Sequence, residues 1–196
     1  AQELTADWAR IADRDPAGTT VVHGDLHADN VLLTTDGPLL TDLELAGSFV
    51  LTYGTSLHAL KDRANAQAGE TLLVLGAAGG VGLLLVQWLK HIGARVIGTA
   101  SSDAKAALAT AAGADAMIVY SRDAVAPRVR ELTDGHGVDV VFDGVGKSTF
   151  EGSLDSLKRR GLLASFGNAS GPVGAFDFAI LARKGSLFAT RPTLFD

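Results

Sequence analysis

Residues Glu70–Gly93 read ETLLVLGAAGGVGLLLVQWLKHIG, and the fold follows from them. Thr71–Leu75 is an apolar run of the kind found in a strand covered on both faces of a parallel sheet. Glycines at 76, 79, 80 and 82 then mark a turn. Beyond it Val81, Leu84, Leu85, Trp88 and Ile92 recur at helical spacing, and Gly93 stands where a glycine closes a helix. Strand, glycine turn and helix open a dinucleotide-binding βαβ unit. In such a unit Gly79 lets the backbone approach a pyrophosphate, and Gly82 lets helix and strand pack closely. The helix N-terminus offers free N–H groups to the anion. The string Ala77-Ala78-Gly79-Gly80-Val81-Gly82 follows G-x-G-x-x-G except that alanine takes the first position. Ala78, Gly79, Gly80, Val81 and Gly82 are therefore the candidate cofactor loop. A tight strand-to-helix turn without a ligand accounts for the same glycines.

Outward from this unit, strand and helix alternate. Upstream, Thr55–Asn65 reads as a helix. Downstream, Arg95–Gly98 is the second strand and Ala104–Ala112 a helix closed by Gly113. Ala116–Val119 is the third strand, Ala124–Leu132 a helix, and Val138–Phe142 the fourth strand. Ser148–Lys158 is a helix, Leu162–Phe166 the fifth strand, and Ser186–Ala189 the sixth. Strands joined by helical crossovers predict an α/β fold with a doubly wound parallel sheet. The expected strand order is 3-2-1-4-5-6, with ligand at the carboxyl ends of the strands.

The first fifty residues break the pattern. Leu4, Trp8 and Ile11 give Glu3–Ala12 one apolar helical face, and Asp15-Pro16-Ala17-Gly18 ends that helix. His23-Gly24-Asp25-Leu26-His27-Ala28-Asp29-Asn30 follows, then a strand at Val31–Leu33. Thr35-Asp36-Gly37-Pro38 is a turn, and Leu39–Leu43 a second strand carrying Asp42. An N-terminal helix and β-hairpin are thus appended to the sheet. His23 and His27 flank Asp25, without the further spaced ligands that a metal site needs.

Composition sets outer limits. With 196 residues, 47% hydrophobic and 20% charged, the chain suits one large domain, or one domain and a fragment. A net charge of −5 argues against nucleic acid as the partner. There is no cysteine, hence no disulfide, no thiolate metal site and no cysteine nucleophile. No apolar run approaches the roughly 18 residues of a membrane span, and AQELTADWAR has no signal-peptide profile. A cytoplasmic protein away from the membrane is expected.

Two resemblances refine these expectations. LTYGTSLHALKDRANAQAGETLLVLGAAGGVG, GARVIG, AAGADAMIVY, GVDVVFDGVG, GLLASFGNASGP and KGSLFATRPTLFD occur in order. From about Leu51 onward the chain resembles the cofactor-binding domain of the zinc-free quinone oxidoreductases, a branch of the medium-chain dehydrogenase/reductase family. HGDLHADN followed by TDLELAG resembles the catalytic loop of aminoglycoside phosphotransferases, over about residues 5–50. That second resemblance implies Asp25 as base, with Asn30 and Asp42 as magnesium ligands, in phosphoryl transfer. The glycine-rich cover and strand lysine that hold a triphosphate are missing ahead of residue 23. The expected division is residues 1–50, docked on the main domain, and 51–196. The chain thus looks composite, recombined or engineered.

The cofactor follows from the second strand's end. An acid about 20 residues past the glycines would favour NAD, but Thr99, Ala100, Ser101 and Ser102 come before the first carboxylate, Asp103. Ser101, Ser102 and Lys105 offer hydroxyls and a cation suited to a 2′-phosphate. Lys105 also fits an exposed helix charge. The resemblance implies that Tyr120 helps hold that phosphate, so NADP(H) is expected and zinc is not. After the fourth strand, Gly144 and Val145 are small enough for close backbone approach, while Asp143 either meets the ligand or charges a helix start. Phe166, Gly167 and Asn168 follow the fifth strand, beside the nicotinamide by resemblance and otherwise plain turn residues.

The family's second domain, which completes its substrate pocket, has no counterpart among these segments. Hydride transfer to a small quinone or enone is therefore expected to be weak, and no catalytic residue is assigned. A ligand-free scaffold and a magnesium-dependent phosphotransferase are the alternatives. Resemblance also implies a homodimer through KGSLFAT.

Overall fold

In the computed structural model, which describes residues 31–34, 37–40, 52, 54–56, 58, 59 and 64–192, the apolar run forms strand β3, Thr71–Val74. Leu72 and Val74 pack into one apolar cluster, Leu73 and Leu75 into another. Alternate side chains thus bury on opposite faces, which is why the strand shows no polar alternation. Full burial of each such side chain stabilises by about 1.5–3 kcal/mol.

Six parallel strands surround this axis: β3, β4 (Arg95–Ala100), β5 (Ala116–Val119), β6 (Val138–Asp143), β7 (Leu157–Ser165) and β8 (Phe188–Thr190). They lie in the order β5-β4-β3-β6-β7-β8, the expected 3-2-1-4-5-6. Helices α1 (Gly80–His91), α2 (Asp103–Ala111), α3 (Val125–Leu132) and α4 (Phe150–Ser156) make the crossovers. Leu83, Leu85, Val86 and Leu89 of α1 cover one face, and Val129 of α3 with Leu154 of α4 the other. The order reverses between β3 and β6, and sheets of this kind bind ligands beyond the carboxyl ends of the strands at such a point.

Several boundaries differ from expectation. The helix expected over Ser148–Lys158 ends at Ser156, because the Arg130 guanidinium takes the carbonyls of Asp155 and Leu157, each at 2.7 Å. The chain enters β7 there instead of at Leu162. Val138 pairs with Leu157 and Val140 with Leu162, so β7 bulges over the intervening residues, with Arg160 at φ 61. A fifth helix, α5 (Ala179–Arg183), has no counterpart in the sequence reading; five residues are too few to show a period. The helix before β3 shows helical backbone at 52, 54–56, 58, 59 and 64, and Asn65 lies outside it at φ 47.

The chain divides into two compact units, residues 1–52 and 53–196. In the first, β1 (Val31–Thr34) pairs antiparallel with β2 (Gly37–Leu40), Thr34 opposite Gly37. Gly37 and Pro38, expected in the turn, thus belong to the strand. The helix Glu3–Ala12, Asp25, Asn30 and Asp42 lie outside the described residues. Among the described residues, no helix is long and apolar enough to cross a membrane.

Candidate functional site

A continuous ladder of hydrogen bonds runs along the carboxyl edge of the sheet and gathers the residues singled out in the sequence. At its centre is the turn from β3 into α1. Gly76, at φ 65, donates its N–H to the Thr99 hydroxyl at 3.1 Å, and Ala77 N–H donates to Thr99 O at 2.9 Å. Thr99 is 2% exposed and pins the turn to β4. A side chain at Gly82 would overlap Gly76 O and stand 2.8 Å from Ala77 Cα, so the start of α1 approaches the turn as closely as backbone allows. A Cβ at Gly79 would lie 3.3 Å from Gly76 O.

The alanine at the first glycine position has its own explanation. Ala77 is fully buried, and a Cβ at Gly98 of β4 would stand 2.8 Å from the Ala77 methyl. The side chain absent from Gly98 leaves room for the one present at Ala77.

The N-termini of α1 and α2 differ electrostatically. α2 is capped by Ser102, whose hydroxyl accepts from Lys105 N–H at 3.4 Å, and it carries Asp103 in its first turn. α1 begins after Gly79, without a side-chain cap and with no acid in its first turn. An uncapped helix N-terminus favours an anion.

On one side of the turn, Ser101, Ser102 and Lys105 follow β4 and Tyr120 follows β5. Tyr120 N–H donates to Ala100 O at 3.1 Å and the Ser121 hydroxyl to Ser101 O at 3.1 Å, so the two strand ends share one rim. Tyr120 is 55% exposed, and Ser102 and Lys105 are exposed with it. Asp103 is ion-paired with Arg122 at 2.8 Å. The sequence reading missed that arginine, which has no motif to mark it.

On the other side, Gly144 and Val145 follow β6, and Phe166, Gly167 and Asn168 follow β7. A Cβ at Gly167 would overlap Gly144 O, and one at Gly144 would lie 2.9 Å from the Phe166 ring. The Ser170 hydroxyl donates to Val145 O at 2.8 Å and accepts from Ser148 N–H at 2.9 Å, which joins the two loops. Packing of loop on loop therefore accounts for both glycines. Asp143, left open between ligand contact and helix start, is 1% exposed and faces inward. Its carboxylate accepts from Val145 N–H, Gly146 N–H and the hydroxyls of Thr149 and Ser153, at 2.8–3.0 Å. It shapes the loop at the start of α4. Arg191, also missed, donates to Ser165 O at 2.9 Å and Gly167 O at 3.0 Å. With its amide oriented to satisfy both ends, Asn168 donates to Gly167 O at 2.9 Å and accepts from Arg191 at 3.1 Å.

Among the described residues no three His, Cys, Asp or Glu side chains gather where they would hold a metal ion.

Comparison with known proteins adds to this geometry. The profile of the zinc-binding dehydrogenase family matches residues 80–191, and that of the phosphotransferase enzyme family matches residues 1–53. The chain is 52% identical over 153 residues to a quinone oxidoreductase of Pseudomonas aeruginosa, covering 78% of this chain and 47% of the relative. It superposes on an Escherichia coli quinone oxidoreductase complexed with NADPH at a TM-score of 0.74, with 41% identity, over 82% of this chain and 51% of that one. A mycobacterial protein complexed with NADPH gives 0.74 and 48%, over 81% and 50%. The chain spans about half the length of these relatives.

Proposed function

The chain belongs to the zinc-binding dehydrogenase family, and we propose on that footing that residues 51–196 bind NADP(H) along the carboxyl edge of the sheet. The observation that carries this reading is the uncapped start of α1, set against a turn with no room for a side chain at Gly82. Two proteins of similar fold solved with NADPH support it.

In this reading the N-terminus of α1 and the backbone of Ala78–Gly82 receive the pyrophosphate. Ser101, Ser102, Lys105 and Tyr120 form the rim for the 2′-phosphate. Gly144, Val145, Phe166, Gly167 and Asn168 line the nicotinamide end, held in shape by Asp143 and Arg191. The bound nicotinamide supplies the hydride chemistry, and the protein's part is to bind it, orient it and exclude water. Reduction of a small quinone or enone by these residues alone is weak in this reading, because none of the residues assigned here orients an acceptor or excludes water from it. Zinc has no part in the reading. A homodimer through the exposed edge of β8 belongs to it, since Phe188 there is 55% exposed.

Titration with NADPH and, separately, NADH tests the reading by fluorescence or calorimetry. Saturation in the micromolar range is expected, stronger for NADPH. Gly79→Asp places a carboxylate before the uncapped helix and is expected to weaken binding at least about a hundredfold. Lys105→Ala is expected to weaken NADPH about fivefold and leave NADH unchanged. No binding at millimolar cofactor would leave the glycine turn as architecture alone.

The phosphotransferase-family match over residues 1–53 favours a second reading. In it Asp25 is the base, and Asn30 and Asp42 bind magnesium. Magnesium-dependent ATP consumption, abolished in Asp25→Ala, is its requirement.

A further inference from the structure

The rim after β4 contains a contradiction in charge. A carboxylate, Asp103, stands one residue beyond Ser102 and two before Lys105, where the proposed cofactor brings a dianionic phosphate. Its position has a local cause: in the first turn of α2 an acid complements the helix dipole. Left alone, that charge would repel a 2′-phosphate and favour a free ribose hydroxyl.

Arg122 answers it. Its guanidinium lies 2.8 Å from the Asp103 carboxylate, across the gap between the ends of β4 and β5. Its backbone is fixed, since Arg122 N–H and Asp123 N–H both donate to Val119 O, at 2.9 and 3.0 Å. The hydrogen bond and charge of Asp103, together with the charge of Asp123, raise the arginine pKa, so it stays cationic throughout the working range. Both partners are well exposed, at 58% for Arg122 and 76% for Asp103. Such an exposed pair contributes little to folding. Stability is therefore a poor reason for it, and the sign of its charge is the property that matters.

We infer that Arg122 is a specificity-determining residue that selects NADP(H) over NAD(H) by pairing with Asp103 at the 2′-phosphate rim. The inference rests on the cofactor reading above. The local charges are Lys105 and Arg122 against Asp103 and Asp123. Without Arg122, two carboxylates face one lysine at the place of a dianion. With it, the rim is balanced and Lys105 is free to act on the phosphate. The arginine acts through the aspartate, so removing both side chains should cost less than removing the arginine alone.

The test uses the full chain and two adenosine fragments that differ only in the phosphate in question, adenosine 2′,5′-bisphosphate and adenosine 5′-monophosphate. Calorimetric affinities for both, at low and at physiological salt, are measured for wild type, Arg122→Ala, Arg122→Lys and Asp103→Ala/Arg122→Ala. Arg122→Ala is expected to weaken the bisphosphate about five- to tenfold at low salt and leave the monophosphate unchanged. Arg122→Lys and the double variant are each expected to return to within about twofold of wild type. Because the pair is exposed, all variants are expected to melt close to wild type, which circular dichroism checks. An unchanged ratio of the two affinities in Arg122→Ala overturns the inference and leaves the cofactor reading intact. A double variant as weak as the single one also overturns it, because the arginine would then act without the aspartate. Wild type that binds neither fragment nor NADPH overturns both.

Discussion

A glycine-rich turn is a set of separate steric demands, and position 77 shows how one is met by a neighbour. Ala77 occupies the place of the first motif glycine and is fully buried. Its methyl fits because β4 carries Gly98 opposite, where a Cβ would stand 2.8 Å from Ala77 Cβ and 2.6 Å from Met117 Sδ. The two residues therefore form one packing unit, and their substitutions should not add. Gly98→Ala alone is expected to destabilise by about 1–3 kcal/mol through overpacking. Ala77→Gly alone is expected to cost about 1–2 kcal/mol through the lost methyl and the freer unfolded chain. The double variant should be more stable than the sum of the two by about 1 kcal/mol, read from urea unfolding midpoints. It falls short of full recovery because Met117 still meets the new methyl. A sum within error of the single effects would mean that the two sites are independent.

Elements are tied together by polar bonds that hydrophobic period does not reveal. Asp115, in the loop before β5, accepts from Lys90 Nζ near the end of α1 at 2.8 Å and from Val96 N–H of β4 at 2.7 Å. Burial pushes its carboxyl up. The Lys90 hydrogen bond, the Val96 N–H and the charges of Lys90 and Arg95 together outweigh this and hold the pKa below the ordinary 3.8. A folded pKa below the unfolded one means a contribution present above the unfolded value and lost as pH falls through the folded one. The expected outcome is that acid destabilises wild type more than Asp115→Asn. Their urea midpoints should converge between about pH 5 and pH 2, with the variant lower at neutral pH. Parallel curves would show that the carboxylate carries no such term. The same contrast explains what was legible in the sequence. Both faces of β3 are apolar and α1 repeats its burial every three or four residues, so the central unit and strand order were visible. Arg130 ending α4, Asp143 bracing the loop after β6, and Arg191 clamping the loop after β7 act through backbone carbonyls and N–H groups. Partners of that kind are chosen by the fold, and no residue type at a fixed spacing announces them. Of the proposed site, the glycines and the serines at 101 and 102 were read from the sequence, whereas the bond that Thr99 gives the turn and the Asp103–Arg122 pair were not.

At the scale of the whole molecule, two family-profile matches share one chain. The phosphotransferase-family match runs to residue 53, and the backbone divides between residues 52 and 53. Every residue proposed for the cofactor, from Ala78 to Asn168, belongs to the second unit. The sheet that positions them is also complete there, from β3 to β8. Cofactor affinity should therefore be a property of residues 53–196 alone. A polypeptide of those residues is expected to bind NADPH within about twofold of the full chain, a difference below about 0.4 kcal/mol. Its circular dichroism should retain the α/β signature, and its melting temperature should rise on adding NADPH, because a ligand bound only by the folded state stabilises it. Retained fold with affinity lost tenfold or more would show that residues 1–52 contribute to the site, and the assignment of cofactor binding to the second unit would fail. Loss of the fold itself would show that the second unit needs the first for its stability. Loss of affinity and of the melting-temperature shift together, with the fold retained, would fail the assignment in the same way.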